Sequence, residues 1–199
     1  MHTDGVIYPE EDFLQLSGLQ HFKFCRRQWA LIYIENQWAE NFRTTDGAIL
    51  HENAHNGGFT ESRGDLLVTR DMRIFSRTLG VSGACDVLEF RQGKTGIPLK
   101  GREGLWQPYP VEYKRGQPKE NTADALQLCG QAMCLEEMLC CEIPRGALWL
   151  QADLFSGRPN DFVVRRGSVQ IFPIQFAPQI EKFFLRLYVE KRFKRRRFV

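Results

Sequence analysis

No stretch of this sequence approaches the ~20 consecutive apolar residues that a membrane-spanning helix needs. The first residues, Met1-His2-Thr3-Asp4-Gly5, lack the basic start and apolar run of a secretory leader. These two absences lead to the expectation of a cytoplasmic protein with no membrane partner. In that compartment the six cysteines are expected as thiols, or as ligands of a metal or cluster, and not as structural disulfides. Charge of one sign is scarce as well. The 27 Lys and Arg are nearly matched by 24 Asp and Glu, leaving a formal charge of +3, so the chain as a whole is not a polycation. Internal repeats are absent. What is there is a chain of 199 residues, 43% hydrophobic and 26% charged, the balance of a globular protein that is neither disordered nor fibrous. Such a length is about one domain and enough to bury a core.

Periodicity divides the chain. Ser17 reads as an N-cap, and Leu19, Phe22, Trp29, Ile32 and Tyr33 form a helical apolar stripe that predicts one helix to about Gln37. A second helix is expected after Thr45, carrying Ile49, Leu50 and His51 and stopping at Gly57-Gly58. Val68–Arg77 and Leu79–Phe90 alternate like the strands of a meander. Residues 91–107 are rich in glycine and charge and read as a loop, followed by a short strand, Tyr109–Lys114. Asn121–Cys141 has good helix formers and no proline, and predicts the longest helix; Ala147–Leu154 is a further strand. Pro178 opens a last helix with Ile180, Phe183, Phe184 and Leu187 on one face. The expectation is an α/β (α+β) fold with a mixed central sheet flanked by helices. It forms a single domain over 1–199, with an N-terminal helical segment (10–60), a core (61–155) and a basic C-terminal segment (156–199).

Chemistry concentrates in Tyr109-Pro110-Val111-Glu112-Tyr113-Lys114. Alternate side chains of a strand share a face, so Glu112 and Lys114 point the same way. Such a pair suits phosphodiester cleavage, the carboxylate holding a hard divalent cation and the lysine placing or helping to deprotonate the attacking water. An isolated Glu-x-Lys is more often a surface ion pair worth little. Asp86 lies in an otherwise apolar strand after Gly83, where an ionised carboxylate needs a cationic neighbour. A metal shared with Glu112 would be one and an arginine another; alternatively Asp86 caps a turn. His51 is a candidate imidazole ligand, against the commoner reading of a satisfied or solvated histidine, and His55 one turn later is a decoy for it. Gln127 and Gln131 sit at i, i+4 on one helix face, where amides would orient the lysine or grip a phosphate. Lys191, Arg192, Lys194, Arg195, Arg196 and Arg197 are six basic residues in seven positions, interleaved with Phe193. That run suits phosphate contact and base stacking, or a solvated tail.

Taken in order, His51, Gly83-x-x-Asp86, Glu112-x-Lys114 and Gln127 resemble the RecB-like branch of the PD-(D/E)xK nucleases. Within it the chain is similar to the CRISPR-associated Cas4 family, most like the versions beside type I-C systems. Residues 16–29, with Cys25, and residues 127–138 carry the rest of the likeness, which spans about residues 10–150. The resemblance implies His51, Asp86, Glu112 and the carbonyl of Tyr113 as ligands of Mg²⁺ or Mn²⁺, with Lys114 and Gln127 catalytic. It implies DNA with single-stranded overhangs as substrate, the CRISPR integrase as partner, and a role in selecting motif-flanked prespacers. It also implies a [4Fe–4S] cluster, for which Cys25 is the matched ligand. The family has a tyrosine where this chain has Gln131, and three further cluster cysteines near the C-terminus, whereas no cysteine follows Cys141. Cys85, Cys129, Cys134, Cys140 and Cys141 fall outside that pattern and read as buried small hydrophobes. Two alternatives to the nuclease are a catalytically silent DNA-binding subunit of the same machinery and a RecB-like repair nuclease.

Overall fold

The computed structural model describes residues 7–37, 61–115, 123–154 and 164–173. The helices expected after Thr45 and at Pro178, His51 and the basic run from Lys191 to Arg197 all lie outside these residues.

The N-terminal helical stripe is two helices, not one. Helix α1 (Ser17–Phe24) ends where Cys25 is extended (φ −156°, ψ 112°), and α2 (Arg26–Tyr33) begins again with Cys25 as its cap. The Cys25 thiol accepts the Gln28 N–H at 3.5 Å, the role a serine oxygen plays at many helix starts. Ser17 is accordingly the first residue of α1 and not its cap, and its hydroxyl instead meets the Tyr33 hydroxyl at 3.0 Å, closing the two helices on each other.

Strands β2 (Glu61–Arg63), β3 (Leu66–Ser76), β4 (Val81–Gly93), β6 (Leu105–Arg115), β7 (Arg145–Leu154) and β8 (Val164–Pro173) lie side by side in that order. Two-residue strands attach to them, β1 (Leu14–Gln15) parallel to β4 and β5 (Ile97–Pro98) antiparallel to β6. The sheet is mixed, as expected, but chiefly antiparallel. The one long parallel pair, β6 with β7, is joined through helix α3 (Ala123–Leu139). The loop expected over 91–107 is shorter than that, because β4 runs to Gly93 and β6 starts at Leu105, pairing Gly93 with Leu105. Strand β8 has no sequence expectation behind it.

Burial explains why these elements form. Leu16, Leu19, Phe22 and Trp29 pack with Val81, Leu88 and Phe90 of β4 and Leu126, Cys129, Ala132 and Leu135 of α3 into one core. Leu16 is wedged between β4 and α3. A Cβ on Gly83 would stand 2.9 Å from the Leu16 Cβ, too close to fit without a backbone shift, and one on Gly130 would stand 2.8 Å from the Leu16 Cδ1, so that the leucine would have to move aside. On the other face of the sheet Val87, Tyr109, Val111 and Ala147 form a second cluster. Strand β4 thus buries Cys85, Asp86, Val87 and Leu88 in succession, the pattern of a strand covered on both sides. Of the five cysteines read as buried hydrophobes, Cys85, Cys129 and Cys134 are buried, whereas Cys140 is exposed and Cys141 half-buried past the end of α3.

At its C-terminal end α3 is pinned by one side chain. Glu137 accepts hydrogen bonds from Ser76 Oγ and Thr78 Oγ1 (2.6 Å each) and from the Arg77 N–H (2.8 Å) in the turn between β3 and β4.

Candidate metal-dependent nuclease centre

The sheet forks where the candidate residues meet. The β4–β6 ladder ends at Val87↔Val111. Beyond it β6 continues beside β7 through Arg115, while the start of β4 pairs with β1 at Val81 and Ser82. The β3–β4 ladder also skips the Asp71–Asp86 position, where Asp71 takes a left-handed backbone (φ 50°). Asp86 and Glu112 are the first residues inside the fork, and their side chains do the work of the missing ladder. Asp86, 4% exposed, accepts the Tyr113 N–H at 2.9 Å.

Glu112 is fully buried and held from three sides. Lys114 Nζ stands 2.7 Å from its Oε1, the Gln127 amide donates to the same oxygen at 2.6 Å, and the Gln131 amide donates to Oε2 at 2.5 Å. Gln127 closes the ring, its Oε1 accepting from Lys114 Nζ at 3.0 Å. The same-face expectation for Glu112 and Lys114 holds, and the partners come from α3, where residues 127 and 131 project one above the other.

Burial pushes the Glu112 carboxyl up, Lys114 opposes that and Asp86 adds to it, and the net direction is upward. Burial by itself would pull the Lys114 ammonium down. The Glu112 charge overcomes it, with Asp124 and Asp86 adding, so Lys114 is raised above its ordinary value and stays protonated at neutral pH. The Cys85 thiol, fully buried beside both carboxylates, is pushed well up by burial and by their charge, and is a neutral packing group. Helix α1 borders the lysine. Gln20 donates to Asp124 at 2.5 Å, and His21 is lowered, first by burial and then by the Lys114 charge.

Asp86 and Glu112 offer two hard oxygen donors whose charges oppose one another in a buried setting, a donor set that fits a divalent cation. Among the described residues no third His, Cys, Asp or Glu joins them in a group able to hold a metal ion, and His51 lies outside. A thiolate cluster fits less well. All six cysteines are described, Cys25 is exposed at the α1–α2 junction, and no three are grouped for a metal.

Asp86, Glu112, Tyr113, Lys114 and Gln127 are therefore brought together; Cys25 stands apart, and His51 and the basic run are not described. The sequence reading paired Gln131 with Gln127 as amides to orient the lysine or grip a phosphate, whereas Gln131 bonds Glu112 and the Ala84 carbonyl; it assigned no role to Gln20, His21 or Asp124. The i, i+4 glutamine pair was the signal in the sequence for Gln131, and it did not reveal which groups the amide meets.

Among the described residues no helix is long and apolar enough to cross a membrane. No known family profile matches the chain. It is 27% identical over 144 residues to a CRISPR-associated exonuclease Cas4/endonuclease Cas1 fusion of Geobacter sulfurreducens, an alignment covering 68% of this chain and 23% of that protein. The chain thus spans less than a quarter of its relative. This similarity supports a Cas4-like, CRISPR-associated nuclease relationship, reached independently of the site geometry.

Proposed function

We propose that this protein is a divalent-metal-dependent DNA nuclease of CRISPR spacer acquisition that trims or cuts single-stranded overhangs of prespacers. The observation that carries the reading is the convergence of Asp86, Glu112, Lys114 and Gln127 at the fork between β4 and β6. Ion pairs that serve only a surface are exposed and loosely held, whereas this one is buried and crosslinked by an amide from another element.

Asp86 and Glu112 are the proposed holders of Mg²⁺ or Mn²⁺, with His51 and the Tyr113 carbonyl as further ligands. A cation bound there supplies charge neutralisation and a more acidic water. Lys114, bonded to both Glu112 and Gln127, is placed to offset charge on the scissile phosphate and to position or help deprotonate the attacking water. Gln127 fixes the Lys114 amine and the Glu112 carboxylate relative to each other by bonding both. The basic residues Lys191, Arg192, Lys194, Arg195, Arg196 and Arg197 are proposed to hold the DNA backbone, with an affinity that falls as salt rises.

The relative's name joins an exonuclease and an endonuclease in one chain. For this chain the corresponding partner is proposed to be the CRISPR integrase, in a cytoplasmic setting of the type I-C kind. Cleavage of an end-labelled DNA duplex with single-stranded overhangs, in Mn²⁺, tests the reading. Wild type is expected to cut and Lys114→Ala to lose at least about a hundredfold, the scale of removing one charge-stabilising group from an active site. Equal cutting by both would sink the catalytic assignment and favour a contaminating nuclease; binding of the same DNA without cutting by wild type would favour a silent recognition subunit.

A further inference from the structure

We infer that Gln131 is the positioning residue that sets the spacing of Asp86 and Glu112 across the fork in the sheet, an inference that rests on the proposed nuclease reading only for its catalytic consequence. The fork poses a geometric problem. Up to Val87↔Val111 the distance between β4 and β6 is held by backbone hydrogen bonds. From Asp86 and Glu112 onward the two strands have different neighbours, and no ladder sets how far apart the carboxylates stand.

Gln131 spans that gap. Its amide nitrogen donates to Glu112 Oε2 on β6 at 2.5 Å and to the Ala84 carbonyl on β4, two residues before Asp86, at 3.2 Å. One NH₂ group has two hydrogens, and here each is committed to a different strand. The Asp86 bond to the Tyr113 N–H is the second tie across the same gap. Together the two crosslinks replace the missing rungs and orient both carboxylates.

A residue retained for packing alone would not look like this. Gln131 is fully buried, and its own Oε1 is buried with no hydrogen-bond partner among the described residues. A methionine or leucine would fill the same volume without the cost of an unpaired acceptor. Gln127 cannot substitute, because it serves Lys114 and the other Glu112 oxygen. Nor does any other described side chain donate to the Ala84 carbonyl. Groups that orient a metal's ligands typically change metal affinity by about 10–100-fold when removed.

Gln131→Met keeps length and volume and removes both donors, so it separates the bridge from packing. Two readouts are taken on the full chain: Mn²⁺ affinity by electron paramagnetic resonance titration, and hydrogen exchange of the Tyr113 amide in metal-free protein. The expected result is Mn²⁺ affinity weaker by about tenfold or more, with faster exchange at Tyr113 while the amides of the paired strands keep wild-type protection. Wild-type affinity and wild-type Tyr113 exchange in Gln131→Met would overturn the inference, because packing would then suffice. Faster Tyr113 exchange in a protein whose wild type binds no Mn²⁺ would leave the bridge standing and remove the nuclease reading instead. Should Gln131→Met not fold, Gln131→Asn, whose amide is one methylene too short to reach both strands, is read the same way.

Discussion

Two glutamates are held at opposite ends of the same helix, and their environments differ in kind. Glu137 lies near the C-terminal end of α3 and is gripped by backbone N–H groups and hydroxyls of the β3–β4 turn. Burial works to raise its carboxyl, but the hydrogen bonds from Ser76, Thr78 and Arg77 outweigh it and the net direction is downward. Glu112 lies beside the N-terminal half of α3, where two side-chain amides and one ammonium hold it among the described residues, and its net direction is upward. One carboxylate is stabilised as an anion; the other is pushed upward by burial and by Asp86 and drawn back by Lys114. Neutral dipoles fixed in a turn are the arrangement for a joint. A strained charge backed by a lysine is the arrangement for a site that takes up a cation, and strongly perturbed buried groups cluster at functional sites for that reason.

The contrast breaks most visibly at Lys114. Lys114→Met leaves the Glu112 charge buried without its cation (side-chain exposures 11% and 1%), and metal-free protein is expected to lose about 3–5 kcal/mol in denaturant unfolding. Adding Glu112→Gln in the same chain removes the stranded charge. The double variant is expected to recover most of that loss, or to exceed wild type by ~1–4 kcal/mol, while remaining inactive. A double variant as unstable as Lys114→Met would mean that the pair is a structural joint like Glu137, and the distinction drawn between the two ends of α3 would fail.

A smaller effect is expected at the other end. Glu137→Gln keeps the shape but weakens charge-assisted hydrogen bonds, at a cost of about 2 kcal/mol near neutral pH without change in Mn²⁺ affinity. The pH dependence follows from the direction of its shift. Because the folded carboxyl titrates below its ordinary value of 4.5, its contribution is fully present above that value and is lost as pH falls through the lower folded value. The stability gap between wild type and Glu137→Gln is therefore expected to close on acidification below about pH 4.5, measured by urea unfolding at pH 7 and pH 4 and below. A gap that widens in acid would reverse the assignment of Glu137.

Much of this centre was legible because its signals are local. The two-residue period of a strand places Glu112 beside Lys114, and a carboxylate amid Cys85, Val87 and Leu88 is conspicuous in any reading. The α3 helix and the mixed sheet follow from periodicity in the same way. What escaped depends on contacts distant in sequence. Nothing between Ser17 and Gln37 announces that Cys25 is extended, since its own thiol supplies the cap for the next helix. The end of the β4–β6 ladder at Val87↔Val111 is decided by which strands arrive as competing neighbours, β1 and β7, and not by β4 or β6 themselves. The partners of Gln131 could not be read because it joins Ala84 to Glu112, residues 47 and 19 positions away. Gln20 and Asp124 meet across 104 positions for a similar reason.

The most direct test of the central claim is Mn²⁺-dependent cleavage of overhang DNA by wild type, Asp86→Asn and Glu112→Gln, each first shown to be folded by circular dichroism. The account predicts cutting by wild type and loss of at least about a hundredfold in both variants, as expected when an electrostatic element of an active site is removed. Equal cutting by all three folded proteins would contradict it, and would return Asp86 and Glu112 to the role of structural carboxylates that Glu137 already fills.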